Sequence, residues 1–286
     1  MHVVISGSGG QLGRELMDVY REQGHRVTGF DMEMDIRDYE LMMEKIPALE
    51  PELVVNSAAY TDTDGSETNP ELAYGINFVG AQNLALACLE AGCPLVSVST
   101  DYVFDGHKGS SYNEFDEPCP VGVYGKSKLA SERFIASVLH RYYIFRTQWL
   151  FGKHGKRDFV KSIILNAREK GSLKVVSDEV GSPTQAGDLA RLICLVSTSG
   201  KYGIYHATNQ GFCSRFEFAC EILDMAGMKD VPVERILYKD LGLPCPRPPY
   251  SPLENLCLGL QGFPLSRHYS AALKEYVEWL FYEGGL

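Results

Sequence analysis

Tyr124 and Lys128 stand four residues apart in Tyr124-Gly125-Lys126-Ser127-Lys128, and on a helix such positions share one face. An ammonium one turn from a phenol favours phenolate. The spacing therefore predicts a lowered Tyr124 pKa and a tyrosine able to protonate a carbonyl oxygen as hydride arrives. The same spacing also describes an ordinary solvated helix face. Thr100 follows the apolar run 94–99 and is placed to hydrogen-bond that carbonyl, or to bond its own backbone as a turn hydroxyl. A third group is Ile5-Ser6-Gly7-Ser8-Gly9-Gly10-Gln11-Leu12-Gly13, with glycines at positions 7, 10 and 13. Gly7 would permit a sharp turn, Gly10 the close approach of a pyrophosphate, and Gly13 tight packing of a helix on a strand.

The glycine pattern gains weight from its place, after an apolar run and before an amphipathic one, because a helix N-terminus there faces the phosphates. Asp31 closes the next apolar run. A carboxylate at that point accepts from ribose hydroxyls and repels a 2′-phosphate, which favours NADH, with NADPH possible if Arg14 or Arg37 reaches the phosphate. Asp35 and Ile36 could border the adenine or form a plain turn.

These groups need a scaffold. Residues 3–6, 26–30, 53–55, 94–99 and 142–146 read as strands. Residues 11–23 read as a helix ended by Gly24, and a further helix enters through Asn69-Pro70-Glu71. Continuous apolar strands alternating with helices predict an α/β fold, a Rossmann-type doubly wound parallel sheet with a smaller C-terminal α/β substrate domain. Ligands bind beyond the carboxyl ends of such strands, and every group above lies there. Later, 156–170, 216–226 and 270–282 read as helices and 173–176 as a short strand. The proline-dense stretch 243–252 reads as an ordered loop over a site. The expected division is 1–150 for the dinucleotide, with a return to the sheet around 184–208, and 151–286 mainly for substrate.

The chain has 286 residues and a net charge of −10 without a long basic run, so no nucleic-acid partner is expected. No membrane span and no secretory segment are expected either. Eight cysteines lack C-x-x-C spacing and several sit in apolar helical patterns, which fits free thiols in the cytoplasm and no metal. His206, in an apolar run, reads as a structural, hydrogen-bonded histidine.

Taken together, the glycine loop, Thr100 and the Tyr124/Lys128 pair resemble the extended short-chain dehydrogenases, and within them the dTDP-4-dehydrorhamnose reductase family. The likeness covers nearly the whole chain. It includes Asn56 to Thr61, Asn77, the run from Ser99 to Gly106, Arg146-Thr147-Gln148-Trp149, Gly181-Ser182-Pro183-Thr184, Tyr205 to Asn209, and Arg247-Pro248 with Ser251 and Leu253. The resemblance implies that Gln11, Leu12, Asp35, Ile36, Ala58 and Ala59 line the cofactor, with Tyr124 and Lys128 at the nicotinamide ribose. It implies that Thr100, Tyr102, Tyr124 and Trp149 surround a nucleotide-linked sugar, that Thr61 and Thr63 lie near both ligands, and that Arg247 meets the diphosphate. Asp101 either bonds the substrate or caps a turn. The implied reaction reduces the C4 ketone of dTDP-4-dehydro-L-rhamnose.

The sequence departs from the family pattern at Thr63, Gln148, Arg215 and Pro252, none of them a catalytic position. Some relatives dimerise around magnesium through glutamates. Glu15 could be one of these, but it lacks clear partners, so no metal is expected and the chain reads as monomer or homodimer. Two rivals stand beside this reading. A dehydratase or epimerase on the same fold is opposed by Tyr102, where dehydrating relatives carry a second acid after Thr100-Asp101. A non-catalytic regulatory subunit is opposed by the intact Tyr124/Lys128 pair. A reductase of another nucleotide-linked 4-keto sugar stays close to the main reading.

Overall fold

Strands with no polar face must be covered on both sides. The computed structural model, which describes residues 1–155 and 158–283, assembles them into one sheet. Its strands are β1 (His2–Ser6), β2 (Arg26–Phe30), β3 (Leu53–Asn56), β4 (Leu95–Thr100) and β5 (Tyr142–Thr147). Beyond them come the short β6 (Leu150–Phe151), β7 (Leu173–Val176), β8 (Val180–Gly181) and β9 (Thr184–Gln185). The chain then returns as β10 (Gly203–His206) and adds β11 (Cys213–Ser214) and β12 (Val233–Ile236). The central sheet has six strands in the order β10-β5-β4-β3-β1-β2, all parallel. The chain moves from β1 outward to β2 and then crosses to β3 on the other side of β1. This reversal opens a crevice beyond their carboxyl ends.

The helices are α1 (Gln11–Glu22), α2 (Tyr39–Ala48), α3 (Thr63–Thr68), α4 (Pro70–Tyr74), α5 (Ala81–Ala91), α6 (Val123–Val138), α7 (Phe159–Lys170), α8 (Ala186–Ser197), α9 (Arg215–Met225), α10 (Leu256–Leu260) and α11 (Tyr269–Tyr282). On one face of the sheet α1 and α8 bury Leu16, Tyr20, Leu189 and Ile193. On the other, α2, α5 and α6 bury Met42, Ile46, Leu84 and Ile135. A third core, built by α7, α9 and α11 around Phe151, Ile164, Phe218 and Tyr276, lies in the later chain.

Among the elements that differ from the sequence reading, three have a clear local cause. Helix α2, capped by Asp38 on the Leu41 N–H, was not anticipated, because Pro47 in its last turn interrupts the helical pattern. Helix α7 starts at Phe159, where Asp158 accepts from the Val160 and Lys161 N–H groups; Lys156 and Arg157, read as its first turn, lie outside the described residues. Pro70–Ala91 runs helically for 22 residues and is long and apolar enough to cross a membrane, contrary to the expectation of no such stretch. Half of its most apolar window is buried inside the protein, and Leu84, Ala85 and Cys88 face the sheet, so the core accounts for its composition. Midway, residues Gly75–Gly80 form a π-helical turn. It carries Asn77, which accepts from the Tyr60 N–H at 2.8 Å and donates to Tyr60 O at 3.2 Å and Ser127 Oγ at 3.0 Å. One side chain thus fixes the loop after β3 against α6.

Candidate active site

The glycine loop is built as its spacing demands. Gly7 has φ +69°, and a Cβ there would lie 2.7 Å from the Ala58 nitrogen. A Cβ on Gly13 would collide with the Gly7 carbonyl, so this glycine lets α1 sit close on β1. Gly10 differs, since a Cβ there would meet only Gly7 O, at 3.2 Å, and its other side is open. Gly10 is also the N-cap of α1 and offers no side chain, leaving the first N–H groups of the helix directed at that opening with no acid in the first turn. An uncapped N-terminus beside an open glycine fits a pyrophosphate.

Two clefts meet at this point. The first, about 340 Å³, is lined by Gly7, Gly10, Asp31, Asp35, Ile36, Ala58 and Ala59. The Asp31 carboxylate accepts from the Gly9 N–H at 2.9 Å. Asp35 is held in a fork by Arg37, 2.5 Å at its shortest, which keeps the Asp35 carboxyl below its ordinary range. The second cleft, about 440 Å³, is lined by Gly10, Gln11, Leu12, Gly13, Thr61 and Thr63 on one side. Thr100, Asp101, Tyr102, Tyr124, Lys128 and Trp149 line the other. Of the residues singled out from the sequence, the structure gathers all but Arg247 in these two clefts. Arg247 lies in a third, outer cleft with Lys174 and Glu179, paired to Asp64 at 3.3 Å.

Tyr124 and Lys128 occupy one face of α6 and line the second cleft, Lys128 buried and Tyr124 half-buried. The expected lowering of the Tyr124 pKa is not what the structure gives. Burial pushes the phenol up to about 12, the Asp101 charge adding to this and the Thr100 hydroxyl opposing it. Lys128 is itself drawn down to about 8 by burial, with Glu132 opposing. Desolvation disfavours both charged forms and outweighs the single turn of separation. The site therefore holds a neutral phenol at neutral pH, the form that can donate a proton.

Thr100 ends β4, accepts from the Tyr102 N–H at 3.2 Å and donates to Asp101 at 3.1 Å. The other Asp101 oxygen accepts from Ser251 Oγ at 2.7 Å, so Asp101 ties the proline-dense loop to the end of β4. Burial raises the Asp101 carboxyl to about 6, opposed by its bonds to Ser251 and Thr100. Trp149 has φ +47°, an unfavourable backbone for so large a side chain, which the surrounding packing must over-determine. Its ring lies against Phe218 and under the Arg215 guanidinium, 3.6 Å from centroid to Cζ. His206 is fully buried and contacts Tyr112 O; burial and then Arg146 lower it to about 3, so it is a neutral structural residue, as read.

Several supporting residues escaped the sequence reading in these roles. Gln148, noted only as a departure, donates to Ser251 O at 2.6 Å and accepts from the Ser182 N–H, fastening 251 and 182 beside the site. Replacing it with alanine strands two buried backbone groups, at a cost of about 1–3 kcal/mol. Gln148→Ala is expected to lower the melting temperature and speed protease cleavage within 243–252. Unchanged cleavage would mean that other contacts hold the loop. Glu132, one turn past Lys128, forms a buried pair with Arg146 at 2.7 Å. The only hint of it was the four-residue spacing 124-128-132.

A parallel sheet with a glycine cradle at its reversal and a Tyr/Lys pair across the crevice is the architecture of the Rossmann-type extended short-chain dehydrogenases. The sequence profile of the family described as "RmlD substrate binding domain" matches residues 1–281, and the chain belongs to that family. It is 37% identical over 277 residues to the spore coat polysaccharide biosynthesis protein SpsK of Bacillus subtilis (strain 168), covering 96% of each chain. It is 36% identical to dTDP-4-dehydrorhamnose reductase of Mycobacterium tuberculosis (strain ATCC 25618 / H37Rv), over 95% of this chain and 90% of that one. Its structure is similar to that of dTDP-4-dehydrorhamnose reductase from Bacillus anthracis str. Ames in complex with NADP. The TM-score is 0.93 and the identity 37%, over 96% of this chain and 98% of that one.

Proposed function

We propose that the protein reduces the C4 ketone of dTDP-4-dehydro-L-rhamnose to dTDP-L-rhamnose, using a nicotinamide dinucleotide and with Tyr124 as proton donor. The observation that carries this reading is the continuity of the clefts. Gly10, Ser57 and Ala59 line both, so a dinucleotide laid along the carboxyl ends of β1 and β3 ends beside Tyr124 and Lys128. Asp31, Asp35, Ile36 and Ala58 would hold its adenosine, the N–H groups of Gln11, Leu12 and Gly13 its pyrophosphate, and Tyr124 and Lys128 its nicotinamide ribose. When bound, it supplies hydride from C4 of the nicotinamide ring. Thr100 orients the ketone oxygen, Tyr124 gives it a proton, and the Lys128 ammonium offsets the phenolate left behind. Trp149 supports the sugar ring, Thr61, Thr63 and Tyr102 close its sides, and Arg247 meets the diphosphate from the outer cleft.

The arrangement of the cores supports a division in which 1–150 and the return at 184–208 serve the dinucleotide and 151–286 mainly the nucleotide-sugar. The eight free thiols, five of them buried, and the acidic charge support a cytoplasmic enzyme, acting as monomer or homodimer.

The assay is oxidation of NADH or NADPH on addition of dTDP-4-dehydro-L-rhamnose, made in place from dTDP-glucose. Oxidation yielding dTDP-L-rhamnose is expected. Cofactor binding without oxidation would move the substrate to another nucleotide-linked 4-keto sugar. The Bacillus anthracis relative is solved with NADP. Here Asp31 faces the adenosine end while Arg37 is engaged by Asp35, which supports a preference for NADH. Asp31→Ala is expected to raise kcat/KM for NADPH relative to NADH by about 10-fold, the scale of one removed charge repulsion in a half-buried site. An unchanged ratio would take Asp31 out of cofactor selection.

A further inference from the structure

Arg215 opens α9 directly after its N-cap, Ser214. Only 18% of its side chain is exposed, and its guanidinium lies over the Trp149 indole, Cζ 3.6 Å from the ring centroid, and 5.1 Å from the Phe159 ring centroid. Its nearest carboxylate oxygen, on Glu179, is 3.6 Å from Nε, beyond hydrogen-bond distance for a guanidinium N–H. Glu179 also faces Arg247, at 3.8 Å. Its Oε1 is buried without a hydrogen-bond partner, as is Nε of Arg247. Two guanidiniums thus share one carboxylate, and among the described residues the Arg215 guanidinium donates no hydrogen bond to protein. Donors left in this state are ready for an acceptor that arrives from solution.

Position says which acceptor. Arg215 lines both the inner cleft, with Thr100 and Tyr124, and the outer cleft, with Arg247. Trp149 and Leu150 are the other residues that line both. For a sugar whose ketone reaches Thr100 and Tyr124, this shared lining gives the substituent on its anomeric carbon a way out past Arg215. In a nucleotide-linked sugar that substituent is a diphosphate. A planar guanidinium offers its paired N–H groups to phosphate oxygens at the charge-assisted strength that neutral donors lack.

We propose that Arg215 is a substrate-binding residue that grips the phosphate next to the sugar, while its stacking on Trp149 sets the sugar platform and the phosphate grip as one rigid unit. Arg247 takes the outer phosphate, and Glu179 holds the two guanidiniums in place before the ligand arrives. The inference rests on the nucleotide-sugar reading above and adds a residue that this reading does not use.

Calorimetric titration with dTDP, dTMP and NADPH tests it on the wild type, Arg215→Lys and Arg215→Met. Arg215→Met is expected to weaken dTDP binding roughly 10- to 100-fold, the loss of charge-assisted bonds to one phosphate. Binding of dTMP should change far less, because it lacks the phosphate next to the sugar, and NADPH binding should hold. Arg215→Lys should recover part of the dTDP affinity. An unchanged dTDP affinity in Arg215→Met overturns the proposal and leaves the arginine a packing partner of Trp149. Equal losses for dTDP and dTMP overturn it too, since they would report a damaged pocket. Wild-type binding of UDP in place of dTDP would count against the deoxythymidine assignment alone, and the same comparison with UDP and UMP then decides Arg215.

Discussion

Replacing Tyr124 by phenylalanine is expected to lower kcat by about 10²–10⁴, the usual contribution of a positioned general acid, while NADH and NADPH bind with near-normal affinity. The ring itself packs edge-on against Tyr102, with centroids 5.4 Å apart, and phenylalanine preserves that contact. What is lost is one proton, held on an oxygen whose surroundings keep it there at neutral pH. The partner lysine gives the profile its alkaline side. Burial draws Lys128 down to about 8, so its ammonium is present below that pH and disappears as pH rises through it. The charge proposed to offset the developing phenolate goes with it, and kcat is expected to fall above pH 8. Stopped-flow oxidation of the reduced cofactor across pH measures both effects. A Tyr124→Phe protein that turns over at the wild-type rate would remove this residue from the chemistry. One that loses cofactor binding with the chemical rate intact would leave it only its contact with the ribose.

The largest stability effect is expected at the Arg146–Glu132 pair. The two side chains are 3% and 4% exposed, joined by Nη2 to Oε2 at 2.7 Å and by Nε to both carboxylate oxygens at 3.1 and 3.2 Å. Ser99 donates a further hydrogen bond to Glu132. Arg146 also lies over the Phe104 ring and beside His206, whose neutral state spares the core a second cation. Removing one partner leaves the other as a buried, uncompensated charge, which costs about 3–5 kcal/mol. Glu132→Leu and Arg146→Met are each expected to lower the melting temperature by roughly 10 °C, the larger effect following whichever stranded charge is less able to reach water. The double variant should regain much of the loss, since an apolar pair of similar volume avoids the desolvation altogether. Thermal melting of the three variants in the presence of NADPH checks this. A double variant as unstable as the sum of the singles would mean that the pair is not the coupled unit the geometry describes. The pair also adjoins the proposed catalytic residues, because Glu132 stands one turn beyond Lys128 and Ser99 directly precedes Thr100.

The amino-acid sequence determined the local half of this protein. A glycine that must turn, one that leaves a cleft open and one that must let a helix close on a strand are requirements of single backbone positions, so the cradle at Gly7, Gly10 and Gly13 was legible from spacing. The same holds for strands that are apolar throughout, which can only be interior to a covered parallel sheet, and for Tyr124 and Lys128, which four residues of helix place on one face. The place of Asp31 was legible for the same reason, as the end of a strand whose neighbour carries the glycine loop. Tertiary structure decided the rest. Ser251 reaches Asp101 across 150 residues, Gln148 reaches Ser251 across 103, and Arg215 finds Trp149 through the packing of α9 on the loop after β5, contacts that no local period encodes. The protonation of the site belongs to this second half. Adjacency of a lysine argues for a lowered tyrosine pKa, but burial acts on both groups and reverses the sign at Tyr124, and burial is set by everything that packs around a side chain rather than by its neighbours in sequence.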